Sequence, residues 1–130
     1  MEEEIIDIIN DRLDEGQRLN ALADEFRCGR DTRELLPLFL SENAEVVSIA
    51  AWICGELPVK RYKSAEFVSV LRDLTEHADA SVRFHALGAV YPFLGAGDAA
   101  TRTLLAKLLN DENAGVRMSA HAAAARLGMG

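Results

Sequence analysis

The chain has 130 residues, 49% hydrophobic and 27% charged, with 14 Lys plus Arg against 21 Asp plus Glu and a formal net charge of -7. That length buries one ordinary hydrophobic core without disulfides or a structural metal. The acidic balance, with a pI near 4.9, argues against nucleic acid and anionic lipid as partners, because both need a surplus of clustered Lys and Arg. Residues 1–34 hold 11 acids and 5 bases, net -6, and residues 35–130 hold 10 acids and 9 bases, net -1. Nearly all of the surplus therefore belongs to the N-terminal quarter. No run reaches the roughly 18 apolar residues of a membrane span. The start Met1-Glu2-Glu3-Glu4 is unlike a basic signal peptide, so a cytoplasmic location with no membrane contact is expected. Cys28 and Cys54 lie in no CxxC motif and have no His at ligand spacing; both are expected to be reduced, buried thiols.

Apolar residues recur every three or four positions and do not alternate, which predicts an all-α fold of about eight helices. The first is expected from Glu2 to Asp14, with Ile5, Ile6, Ile9 and Leu13 on one side. Opposite them, Glu4, Asp7, Asp11 and Asp14 follow spacings of three, four and three, forming one acidic stripe. That stripe is either a solvated face or a docking surface for a basic partner. A second helix over residues 18–28 buries Leu19, Leu22, Ala23 and Phe26 and stops at Gly29. Asp31 with Glu34 gives a capping-box-like start to a third, in which Pro37 should introduce a kink.

From there the chain repeats. Leu35 to Val46, Val70 to Val82 and Leu104 to Val116 superpose, with the three valines 36 and 34 residues apart. Each repeat reads as a helical hairpin whose second helix is capped by Asn43, Asp79 or Asn113. The second helices align in columns: Ala50, Ala86 and Ala120; then Ile53, Ala89 and Ala123; then Leu57, Phe93 and Leu127. Those spacings define a buried stripe, and the alanine column lets neighbouring helices approach closely. The expected organisation is one domain over 1–130, with an N-terminal hairpin over 1–30 and repeats over 31–58, 64–95 and 98–128.

These segments resemble HEAT repeats, helical hairpins with a Leu-rich first helix, an acidic turn, and Val-Arg followed by Ala and Leu at helical spacing. The match is best over Leu104 to Leu127, with Asp111, Val116, Arg117 and Ala120, and over Val70 to Leu94, with Val82, Arg83 and Ala86. The resemblance implies a right-handed α-α superhelix, a HEAT-like solenoid of about four hairpins, with residues 1–30 as an atypical capping hairpin. It also implies a structural ladder between repeats through Arg83, Asp111 and Arg117. The ladder is incomplete, because Val47 stands at the Arg position of the first repeat, and Ser41 and His77 stand at Asp positions.

Chemistry is sparse. There is no G-x-S-x-G, no Gly-rich phosphate loop and no H-E-x-x-H, and Gly95-Ala96-Gly97-Asp98 reads as a helix end followed by a cap at Asp98. His77, His85 and His121 share no repeat position; a solvated His77 and partly buried, hydrogen-bonded His85 and His121 are expected. The paired His-Glu dipeptides of the HEAT-type deoxyhypusine hydroxylases are missing. So is the basic groove that a HEAT-type DNA glycosylase needs, since only Lys60, Arg61 and Lys63 cluster. No catalytic, metal or cofactor-binding residue is expected.

What remains is surface. The second-helix columns outside the buried stripe hold Ser48, Phe84 and Met118; Trp52, Gly88 and Ala122; and Gly55, Tyr91 and Ala125. Trp52, Phe84, Tyr91 and Met118 are either anchors in a protein-binding groove or packing between neighbouring repeats. The sequence thus predicts a non-enzymatic protein-binding module, in its sharper form a bacterial immunity or inhibitor protein that masks a basic partner. A scaffold or assembly adaptor, and a HEAT-type lyase-like protein related to the bilin lyases, are the alternatives. The run Ala122 to Ala125 and the apolar end at Leu127 and Met129 carry little polar capping, which predicts a homodimer through the last hairpin.

Overall fold

The start of each repeat helix is written in one short polar side chain. Asn43 accepts from the Glu45 N–H at 3.0 Å, Ser64 from Phe67 at 3.2 Å, Asp79 from Val82 at 3.1 Å, Asp98 from Ala100 at 3.2 Å and Asn113 from Val116 at 3.0 Å. Each bond satisfies a backbone donor that the first helical turn leaves open. In the computed structural model, which describes residues 1–11, 13 and 16–129, seven α-helices result. They are α1 (Glu2–Asn10), α2 (Gln17–Arg27), α3 (Ala44–Gly55), α4 (Ala65–Leu74), α5 (Ala80–Val90), α6 (Ala99–Leu109) and α7 (Ala114–Arg126). A 3-10 helix over Thr32–Leu40 precedes α3, and short 3-10 turns occupy Val59–Arg61 and Tyr91–Phe93. No strand occurs among the described residues. The protein is an all-α solenoid of stacked hairpins.

The stack is held along its second helices. α5 lies along α3 and, less extensively, along α7, while α1 packs on α3. Val46, Val82 and Val116 are completely buried, as are Ala50, Ala86 and Ala120 one turn later. Each fully buried valine contributes about 1.5–3 kcal/mol by removal of apolar surface from water. The alanines contribute less by burial but let the helix axes come close enough for the larger neighbours to interlock. Leu57 is buried, whereas Phe93 and Leu127 at the same column are only half-buried.

The element before α3 differs from expectation in a way the sequence explains. Pro37 does not kink an α-helix; the whole segment is wound as a nine-residue 3-10 helix. A proline ring clashes with the carbonyl four residues back in an α-helix, and a 3-10 helix stacks residues three apart. Thr32, Leu35 and Leu38 form its buried row and Glu34, Pro37 and Leu40 its exposed row. The three-residue spacing of Thr32, Leu35 and Leu38 and the proline thus favour the same winding, with Phe39 buried off that row. Asp31 starts this helix by accepting from the Arg33 N–H, but Glu34 does not close a reciprocal box; its carboxylate meets Arg30 instead.

Three further expectations are corrected. α1 ends at Asn10, and its buried residues are Ile5 and Ile8, with Ile6 and Ile9 only half-buried. Leu13 is not on the buried face but 92% exposed. Cys28, at the end of α2, is exposed, and only Cys54 is buried. Positive φ at Gly29 (116°) and Gly128 (73°) lets the chain turn back after α2 and α7. There the Arg30 N–H donates to Glu25 and the Met129 N–H to Ala124, closing both helix ends through the backbone.

Between repeats, Arg83 of α5 donates to both carboxylate oxygens of Asp111 at 2.8 and 2.9 Å, and to the His77 and Ala78 carbonyls of its own turn at 2.9 Å each. Both side chains are nearly inaccessible, at 9% and 8% exposure. Those hydrogen bonds hold the Asp111 carboxyl below the usual carboxylate range. Arg117 makes the bond within its own turn, to the Asp111 carbonyl at 2.6 Å. At the equivalent turn positions Ser41 Oγ, His77 Nδ1 and Asp111 Oδ1 each accept from the backbone N–H two residues on. Three different side chains therefore perform one turn-closing task, and His77 is half-buried in it rather than solvated.

An aromatic chain runs beside the stack. Phe39 meets Phe67 at 6.1 Å between ring centroids, Phe67 meets Tyr62 at 6.3 Å, and Tyr62 meets Phe93 at 5.5 Å. The Tyr62 hydroxyl donates to the Ala89 carbonyl at 2.9 Å, which ties the segment between α3 and α4 to the end of α5. Burial pushes this phenol up to about 12.

Candidate functional site

Helices stacked side by side leave furrows where small residues face each other. Across α3 and α5 Gly55 faces Ala89, and Gly88 lies beside them; both glycines are exposed. A cleft of about 160 Å³ runs over them, bounded by Trp52, Glu56, Phe84 and His85, and reaches Ser119 of α7. A second cleft of about 310 Å³ continues from Trp52 and His85 across Ser48 and Ile49 to Leu19 and Gly16 at the start of α2. The two share Trp52 and His85, so together they form one trench crossing α2, α3, α5 and α7.

Trp52 is half-buried, with part of its indole packed on the core and part lining both clefts. Phe84 is 43% exposed, and its ring meets His85 edge to face at 5.2 Å. His85 is half-buried and, among the described residues, makes no hydrogen bond, contrary to expectation. Burial lowers its pKa, and the Glu56 carboxylate opposes that shift. The neutral imidazole is thus an amphipathic wall of the trench. Ser48 is buried and bonded to Ser81 Oγ at 2.7 Å, so it belongs to the α3–α5 contact.

The remaining expected surface residues lie elsewhere. Met118 is 72% exposed but lines neither cleft, and Tyr91 packs on the core at the start of the Tyr91–Phe93 turn. His121 is exposed rather than partly buried, beside an open cleft of about 550 Å³ between α6 and α7, whose apolar walls include Leu105, Leu109, Ala124 and Met129. Glu4, Asp7 and Asp11 are not a free acidic row, and Asp11 lies past the end of α1. Arg18 of α2 meets Asp7 at 3.0 Å and Asp11 at 3.4 Å, and Arg30 meets Glu4 at 3.8 Å. Asp14 lies outside the described residues. Arg30 is the hub of this end: it also pairs with Glu25 and Glu34 and stands 5.2 Å from the Phe26 ring centroid.

Sequence reasoning missed the part of the trench supplied by the start of α2, because residues 1–30 share no repeat register with Trp52. It also missed the role of Arg30, whose partners come from three separate segments. Among the described residues, no group of three or more His, Cys, Asp or Glu side chains is placed to hold a metal ion, and no helix is long and apolar enough to cross a membrane. A family model for HEAT repeats matches residues 32–125. No curated protein and no solved structure matches the chain.

Proposed function

The chain belongs to the HEAT-repeat family, whose repeats are in general protein-interaction modules, and from that premise we propose that it is a non-enzymatic protein-binding module working through the trench at Trp52, Phe84 and His85. The observation that carries this reading is the pairing of two aromatic side chains with a floor of glycine. Interface anchors are typically aromatic, and they need a desolvated recess beside them. A Cβ built on Gly88 meets no atom within 4 Å, so the floor is open enough to accept a side chain from outside. The narrower form is an inhibitor of the immunity type that masks an enzyme or toxin in the cytoplasm, with the N-terminal acidic surplus drawing in a basic partner. Ion pairing of Asp7 and Asp11 to Arg18 reduces what those two carboxylates offer such a partner.

The test is capture from the native host by immobilised protein, with Phe84→Ala and Gly88→Leu as variants. Both positions are exposed, so each variant is expected to melt within about 3 °C of wild type, corresponding to less than about 1 kcal/mol. Each is expected to lose a partner that wild type retains. The same partner retained by both folded variants would refute the trench as the contact surface. Suppression of the captured partner's activity on adding wild-type protein supports the inhibitor form; unaltered activity supports the scaffold reading. That second reading has its own observation, the open cleft between α6 and α7, which offers a face for a further copy or a further subunit. Sedimentation of the purified chain tests the homodimer directly.

A further inference from the structure

In a chain of net charge -7, cationic side chains find carboxylates easily. Arg18, Arg27, Arg30, Arg72, Arg83 and Lys107 all form ion pairs. Among the described residues Arg33, Lys60, Arg61, Lys63, Arg102, Arg117 and Arg126 form none, and the first four line a single cleft of about 210 Å³. The cleft lies between the 3-10 helix Thr32–Leu40, the turn Val59–Arg61 and the start of α4. Among the described residues Glu66 is the one acidic residue that lines it, so four cationic residues and one acidic residue border the cleft. Concentrating like charge in a recess raises the local potential and disfavours the empty arrangement unless an anion enters.

The recess is also held in shape. Arg61 donates from its guanidinium to the Arg30 carbonyl at 3.0 Å, and its own carbonyl accepts from the Thr32 hydroxyl at 2.8 Å. Tyr62 and Phe67, both buried, form its apolar wall. Its volume is below the roughly 300 Å³ at which pockets for organic ligands begin, so it suits a compact group. Two guanidiniums and two ammoniums exceed what one carboxylate can balance. They match a dianion with three acceptor oxygens.

We propose that the cleft lined by Arg33, Lys60, Arg61 and Lys63 binds a phosphate monoester dianion. The phosphate arrives either on a phosphorylated side chain of a partner or as free phosphate or a small ester; the recognition chemistry is the same. This site is separate from the trench and stands or falls without it.

The experiment is an amide NMR titration of the full chain with inorganic phosphate, a phosphoserine hexapeptide and the same hexapeptide unphosphorylated. Expected are saturable shifts centred on residues 32–36 and 60–67 with both phosphate-bearing probes and none with the bare peptide. Lys60→Ala/Lys63→Ala, and separately Arg33→Gln, are expected to weaken binding at least about tenfold with the melting curve unchanged. A peptide at least about tenfold tighter than inorganic phosphate assigns the source to a phosphorylated chain, and equal affinity assigns it to a small phosphate. The proposal is overturned by any of three results. They are no saturable shift up to about 20 mM phosphate, equal binding by both variants, or equal binding of a ten-residue oligothymidylate, which would make the cleft a general polyanion patch.

Discussion

Replacing Asp111 with alanine while Arg83 stays in place strips a nearly inaccessible guanidinium of the carboxylate it is hydrogen-bonded to. Two charge-assisted hydrogen bonds, at 2.8 and 2.9 Å, disappear, and with them the turn-closing bond from the Asn113 N–H at 2.8 Å. Removing one partner of a buried ion pair typically costs about 3–5 kcal/mol because the remaining charge is uncompensated. Here Arg83 keeps the His77 and Ala78 carbonyls, so the lower end, about 3 kcal/mol, is expected. For a chain of this length each kcal/mol lowers the melting temperature by about 4 °C, and the variant should melt about 12 °C below wild type. A double-mutant cycle with Arg83→Met isolates the pair, and the double variant should recover much of the loss. The pH dependence has a fixed sign. Since hydrogen bonds from Arg83 lower the folded-state pKa of Asp111 below its ordinary value of 3.8, the pair's contribution is present above about pH 4 and is lost as pH falls through the folded-state value. Denaturant melts from pH 7 down to pH 2 should therefore converge for wild type and Asp111→Ala at the acid end. A loss below about 1 kcal/mol at pH 7, or curves that stay parallel into acid, would refute the assignment of the pair as a structural tie.

Tyr62→Phe removes the donor that satisfies the Ala89 carbonyl and should cost about 1–2 kcal/mol at pH 7 by denaturant melts. Because the folded-state phenol is pushed up to about 12 from 10, wild type should lose that advantage as pH rises through this window. An unchanged difference at alkaline pH would contradict the contact. Cys28 is exposed and Cys54 is buried, with burial pushing its thiol up to about 12. A disulfide-exchange reagent should label one thiol in the native protein and two in denaturant, with peptide mapping assigning the first to Cys28; rapid native labelling of Cys54 would refute the burial argument.

Much of the stack was legible because its signals are local. Asn43, Asp79 and Asn113 are short acceptors at the boundary of an apolar period, and cap chemistry needs no tertiary partner. The alanine and valine columns were legible because repetition turns a tertiary contact into a sequence period. Where tertiary context decides, legibility ended. Leu13 fits the period of Ile5 and Ile9, yet the helix stops before reaching it. The 3-10 winding of Thr32–Leu40 was hidden because the three-residue spacing of Leu35 and Leu38 fits an α-helical period as well. In the trench, Trp52 and Phe84 were legible as off-stripe aromatics, but neither the glycine floor nor the contribution of Leu19 was. The basic cleft shows the same limit: Lys60, Arg61 and Lys63 are adjacent in sequence, whereas Arg33 joins them only through folding.

The substitution of Val47 at the position Arg83 occupies one repeat later gives the two joints of the stack different chemistry. Where α5 lies on α3, the joint is broad and apolar, with Val47 completely buried. Where α7 meets α5, the contact is narrower and an ion pair spans it. Acid weakens the second joint by protonating Asp111, whereas among the described residues no ion pair joins α3 to α5. Repeat arrays lose structure one neighbour at a time, so the stack has a built-in order of dismantling: the last hairpin peels away while the trench at Trp52 and His85, anchored on the broad joint, is still largely assembled.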